Sequence, residues 1–162
     1  MSEKVDVIDE TGQVIRTCLR SEAKGHFTRW IHVYLFDSSG NWILQQRSRH
    51  KSFRPNLIEC AVGGQVAAGE SFDEAAHREL QEELNLDMPV EFAFDYWGDY
   101  GQCAVFRAVY DGVLPQPNAE EVERIFKLSE DEVDFLMEKT PFVVMRGFRD
   151  SYAVYQQNKN KG

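Results

Sequence analysis

Cysteine is scarce in this chain. Cys18, Cys60 and Cys103 are the three it has in 162 residues, an odd number at wide spacing with no CxxC pair. That excludes a disulfide framework and a cysteine-built zinc site, and it fits reduced thiols in the cytoplasm. Long apolar runs are missing too. No stretch approaches the ~20 residues that a membrane-spanning helix needs, and the N-terminal segment has no apolar h-region of a secretory signal. Basic residues are the minority: 18 Lys and Arg stand against 27 Asp and Glu, a formal net charge of −9. Such a chain lacks the surface that non-specific binding of a nucleic acid polymer requires. A small phosphorylated ligand remains compatible, because local charge differs from the total. There is no internal repeat, and only the polar end "QQNKNKG" reads as a tail that frays.

What is present suits one soluble domain over 1–162, 43% hydrophobic and 28% charged. "KVDVIDETGQVIRTCL" reads as two strands around a Thr11-Gly12 turn. "WIHVYLFDSSGNWILQQR" is a stronger hairpin, with Ile31, Val33 and Leu35 alternating with His32, Tyr34 and Phe36. "LIECAV" is a short strand with Ile58, Cys60 and Val62 on one face, followed by Gly63-Gly64. Ser71 and Glu74 form a capping box for a helix to about Leu84. "PVEFAFDYW", "QCAVFRAVY" and "EVERIFKL" are strands, and Ser129 with Glu132 caps a second helix. Thr140-Pro141 opens a third. This mixture, without regular βαβ alternation, predicts an α+β fold, an α/β/α sandwich around a mixed sheet.

"RELQEELNL" places Glu79, Glu82 and Glu83 close together with one arginine nearby. Like charges at helical spacing repel by roughly 0.2–0.5 kcal/mol per pair. At about 100° per residue from Phe72, Ala76, Leu80 and Leu84 fall near 40°, 80° and 120° and form the buried arc. Glu82, Glu79 and Glu83 fall near 280°, 340° and 20°, overlapping that arc instead of opposing it. Arg78 lies on the other flank and is expected to pair with one of them at most. Carboxylates turned toward a core need a partner. Three of them beside small alanines make a hard-oxygen pocket suited to Mg²⁺ or Mn²⁺.

The stretch "GQVAAGESFDEAAHRELQEELNL" resembles the Nudix box, G-x5-E-x7-R-E-U-x-E-E-x-G-U, where U is a bulky apolar residue. Gly64, Glu70, Arg78, Glu79, Leu80, Glu82, Glu83 and Leu86 match; Asn85 stands where the family has glycine. Asparagine is the next-best residue for a left-handed helix end, so Asn85 is expected to stop the helix without harm. The resemblance implies a Nudix-type α/β/α sandwich and hydrolysis of a diphosphate linkage in a small molecule. It implies Glu79, Glu82, Glu83 and the Gly63 carbonyl as metal ligands, with Glu70 and Arg78 supporting them. The group that takes the proton from water varies in this family. Glu79 is one candidate and "AEEVERIF" supplies others, of which Glu121 is preferred over Glu120 and Glu123. Nudix relatives are often dimers, so the resemblance allows a homodimer, while the sequence itself leaves the oligomeric state open.

"LFDSSGNWILQQRSRHKSFRPNLIECAVGG" also resembles the isopentenyl-diphosphate isomerase branch of this fold. That branch has a cysteine just before the box glycine and a histidine just after; here Gly63 and Gln65 stand there. A hydrolase of the isomerase-like subgroup is therefore the expected reading, ahead of an isomerase or a non-catalytic binding module. The basic run Arg47, Arg49, His50, Lys51 and Arg54 offers a phosphate-facing wall, with Arg47 and Arg54 as substrate contacts. Tyr96, Trp97 and Tyr100 surround a Gly-Asp turn and suit a planar group or local packing. The four histidines show no metal-ligand spacing.

Overall fold

Alternating apolar residues build two faces of one sheet in the computed structural model, which describes residues 3–161. β3 (Thr28–Phe36) is the clearest case. Ile31, Val33 and Leu35 point to one core and Tyr34 and Phe36 to the other, as the strand period of two requires. β3 pairs in parallel with β8 (Gly101–Val109), and β7 (Glu91–Gly98) lies antiparallel beside β8. On its other side β3 has two partners. Residues Trp30–Val33 pair with β6 (Val62–Gln65), while Leu35 and Phe36 pair with β4 (Trp42–Arg47). β4 then carries β5 (Ile58–Cys60) and β9 (Val122–Leu128), completing a mixed seven-stranded sheet. β1 (Lys4–Ile8) and β2 (Val14–Leu19) form a separate two-stranded sheet.

Helices cover both faces, giving the expected α/β/α sandwich. α1 (Phe72–Leu84) buries Ala75, Ala76, Leu80 and Leu84 against the Ile31 face. Each fully buried leucine there contributes on the order of 2 kcal/mol. α2 (Glu130–Lys139) and α3 (Arg146–Lys161) set Val133, Phe148 and Tyr152 on the Tyr34 face. The Ser71–Glu74 box forms in both directions, at 3.0 and 3.1 Å. α1 stops at Asn85, which is left-handed at φ 56° and donates its backbone N–H to Gln81 and Leu80. None of the described helices is long and apolar enough to cross a membrane.

Three expectations change. Thr140-Pro141 opens only a one-turn 3₁₀ segment, Pro141–Val143. Val144 bridges Ile58 and the Met145 amide donates to the Ile58 carbonyl at 2.8 Å, so the chain is extended there and α3 begins at Arg146. The tail stays helical to Lys161, because Gln156 and Lys159 bond to Asp134 and Glu130 of α2. "LIECAV" breaks at Ala61 between β5 and β6: Ile58 and Cys60 face the α3 side and Val62 the α1 side.

Candidate active site

The acidic end of α1 packs on the glycine pair of β6. A Cβ at Gly64 would lie 2.4 Å from the Glu79 carboxylate, so a larger residue there would displace that carboxylate from its place. Glu79 and Glu83 are 9% and 7% exposed, where the helical periodicity put them. Glu82 differs: its side chain is 56% exposed and stands at the rim. Glu83 Oε1 accepts from Gln45 Nε2 at 2.6 Å, while its Oε2 is buried with no donor among the described residues and has the Glu79 carboxyl as its neighbour. Burial pushes the Glu83 carboxyl well above the usual range, and the charge of Glu79 adds to it. Burial raises Glu79 too, against the opposing pull of Arg78. A buried carboxylate oxygen without a donor is costly, and a cation bound by hard oxygens relieves that cost.

Arg78 does more than pair once. Its Nε and Nη2 donate to the two oxygens of Glu70 at 2.7 and 2.9 Å, and Nη1 donates to Glu79 at 2.9 Å and Glu82 at 3.2 Å. Nη2 also reaches the Gln65 carbonyl at 3.1 Å. The long side chain wraps back across the flank that separates it from the acids on a flat wheel. Burial pushes Glu70 up, but the bonds from Arg78 and the Ala67 amide reverse this and hold it below its ordinary value. We expect Arg78→Ala to lower stability by about 3 kcal/mol, because it strips the charged partner from the largely buried Glu70 and Glu79. Arg78→Lys recovers only part, since an ammonium cannot fork. Chemical denaturation of the two variants checks both statements.

The same loop is tied down by residues not singled out from the sequence. Asp6 Oδ2 accepts from the Gly69 amide at 2.9 Å and from Arg29 Nη2 at 3.1 Å, while Arg29 Nη1 donates to the Glu70 carbonyl at 2.8 Å. The one legible sign was a lone acid inside the apolar strand "KVDVI".

Glu70, Arg78 and the three glutamates of α1 line a cleft of about 950 Å³. Gly63 and the three glutamates share its wall with Arg47, Lys51 and Glu121. Lys51 Nζ donates to Glu121 Oε2 at 2.6 Å. Arg47 donates to the carbonyls of Arg54 and Phe53 at 3.0 and 2.7 Å, bracing its own loop. Arg54 is left-handed at φ 51°, lies over the Phe53 ring, and is not part of the lining. Arg49 pairs with Glu123 outside the cleft. Trp97 packs edge-on against Phe27, whereas Tyr96 and Tyr100 do line the cleft, as do the buried His32 and Glu59. Cys60 is buried in the core with its thiol pushed well above the usual range by burial.

The NUDIX domain matches residues 26–146. The Nudix hydrolase PA4841 of Pseudomonas aeruginosa, described as uncharacterized, is 35% identical over 128 residues, 75% of each chain. YfcD of Escherichia coli, also an uncharacterized Nudix hydrolase, is 29% identical over 143 residues, 86% of this chain and 75% of its own. The crystal structure of DR0079 from Deinococcus radiodurans superposes with a TM-score of 0.75 at 25% identity, covering 81% of this chain and 86% of that one. A MutT protein from Methanosarcina mazei shares the fold at a TM-score of 0.64 and 19% identity, over 81% and 94%. The chain belongs to the Nudix family and is a Nudix hydrolase.

Proposed function

We propose that this hydrolase cleaves a phosphoanhydride bond in a nucleoside diphosphate derivative or a related small phosphorylated metabolite, with Mg²⁺ or Mn²⁺ as its cation. The observation that carries this reading is the buried, unpartnered Glu83 Oε2 beside Glu79 and the glycine pair. The donor set is all hard oxygen, which suits those ions. Glu79, Glu82, Glu83 and the carbonyl of Gly63 would hold the cation. When bound, it would neutralise the diphosphate and increase the acidity of a water.

The chain's own residues do the rest. Gln45 holds one oxygen of Glu83 and leaves the other open. Arg78 fixes the Glu70 loop to α1, so that Glu79 and Glu82 keep their spacing from Gly63. Arg47 and Lys51 face the same cleft as donors for phosphate oxygens. Arg54 acts through its carbonyl, which orients Arg47. Glu121, on the cleft wall beside Lys51, takes the proton of the attacking water. Water attack on phosphorus then releases two phosphorylated products.

The test is release of phosphate or nucleotide from sugar nucleotides, dinucleotides, nucleoside di- and triphosphates and isoprenyl diphosphates, each with Mg²⁺ or Mn²⁺. We expect cation-dependent turnover of one class. No turnover of any compound with either ion would overturn the reading.

A further inference from the structure

One buried group near the acids of α1 is left unused by the chemistry above. His32, Glu59 and Cys60 are 7%, 6% and 0% exposed. Each offers one ligand atom, and these atoms all lie within 4.8 Å of one another. The three residues meet only across the sheet. His32 on β3 stands opposite Gly63 of β6, while Glu59 and Cys60 end β5 just before the break at Ala61. Spacing along the chain therefore does not report them. Neighbours on a regular strand point to opposite faces. Here Glu59 folds back over Cys60, its Oε1 accepting from the Cys60 amide at 3.3 Å and from the thiol at 3.6 Å.

Three observations point to a ligand. Glu59 is buried, yet it forms no ion pair and its Oε2 accepts no hydrogen bond among the described residues. Such a carboxyl is costly to bury unless a cation or a donor meets it. Two glycines keep the group reachable. A Cβ at Gly63 would meet both the Glu59 carboxylate and the His32 ring at 3.4 Å, and one at Gly147 would stand 3.5 Å from His32 Nε2. His32 and Glu59 line the cleft and Cys60 stands behind them, off the lining. The imidazole is also held from its far side, where Ser151 Oγ lies 2.9 Å from Nδ1. That leaves Nε2 as the ligand atom. An ion at Nε2 places the ring proton on Nδ1, where Ser151 Oγ accepts it, the support that histidine ligands commonly have.

The donors decide the ion. Imidazole, carboxylate and thiolate form a borderline set that suits zinc, unlike the hard oxygens of α1. Tetrahedral zinc sets its donors about 3.3–3.8 Å apart, so small side-chain rotations close the group. We propose that His32 Nε2, Glu59 and Cys60 Sγ bind a Zn²⁺ ion in the inner wall of the cleft, distinct from the cation site of α1. Its fourth position is open to the cleft, as in zinc sites that hold a water or a substrate oxygen. Binding releases the Cys60 thiol proton to solvent as the zinc–sulfur bond forms.

The experiment is a Co²⁺ titration of the reduced protein, cobalt taking the same ligands as the spectrally silent d¹⁰ zinc ion. We expect a thiolate-to-cobalt charge-transfer band that saturates at a single equivalent and that Zn²⁺ bleaches. Cys60→Ser abolishes the band, and Glu59→Gln weakens cobalt binding by about tenfold or more. Cys18→Ser, Cys103→Ser and Glu83→Gln keep it, the last because it disables only the α1 set. Thermal melting reports whether each variant is folded. No band in the wild type overturns the proposal, as does a band that survives Cys60→Ser or resists Zn²⁺. Loss of the band in Glu83→Gln would place the cobalt on the α1 acids and overturn it equally. Zinc-edge X-ray absorption on the wild type decides the matter even if Cys60→Ser does not fold. It should show a single sulfur neighbour at about 2.3 Å, and a shell of oxygen and nitrogen alone would contradict the site.

Discussion

Replacing Glu83 by glutamine lowers kcat on the turned-over diphosphate by about 10³-fold, while the cation-free protein melts no lower than wild type. The first effect follows from losing a ligand that holds a cation worth several kcal/mol to the transition state, about 4 kcal/mol for that factor. The second follows from the burial of Glu83. Its carboxyl sits beside Glu79 with one oxygen unpartnered, so in the absence of a cation its charge works against folding. Glutamine keeps the shape and removes the charge. Steady-state kinetics and calorimetry on the same preparation separate the two. Activity within tenfold of wild type would remove Glu83 from the machinery. A large fall in melting temperature would mean that the residue is structural.

Stability should also depend on pH in an unusual direction. The folded protein raises the carboxyls of Glu79 and Glu83 above the ordinary 4.5, and burial raises that of Glu59 to about 7. Between 4.5 and those higher values the unfolded chain has released protons that the folded chain still holds. Stability is therefore lost as pH rises through this window. Asp6 and Glu70, held below their ordinary values, act oppositely and lose their contribution only as pH falls below about 4.5. In EDTA the melting temperature should then be lower at about pH 8 than at about pH 5. Millimolar Mg²⁺ or Mn²⁺ should raise it by roughly 5 °C at the higher pH and by much less at the lower. Glu83→Gln should flatten both trends. A cation effect equal at the two pH values would show that the ion binds elsewhere.

The parts of this molecule that were readable beforehand are those governed by local rules. Ser71, Glu74 and Asn85 mark both ends of α1 because caps are short-range chemistry. Ile31, Val33 and Leu35 mark a strand because a two-residue period needs no tertiary partner. The inward set of Glu79 and Glu83 follows from helix geometry alone. What was hidden depends on distant elements meeting. His32 on β3 and Glu59 on β5 line one cleft only because β3 has two partners, β4 and β6, and the chain breaks at Ala61 between β5 and β6. The reach of Arg78 to three carboxylates depends on a side-chain conformation that angular position does not report. Pro141 was a sound helix-start signal, overruled by the bridge between Val144 and Ile58. Arg54 belongs to a dense basic run, yet its left-handed backbone leaves it off the cleft lining.

The central claim is that the acids of α1 are a cation site. Mn²⁺ titration followed by electron paramagnetic resonance addresses it without any substrate. The free-ion signal should be quenched by wild-type protein at stoichiometric concentration, and far less by Glu79→Gln or Glu83→Gln. Quenching of equal strength by wild type and both variants would contradict the claim, as would no quenching by the wild type.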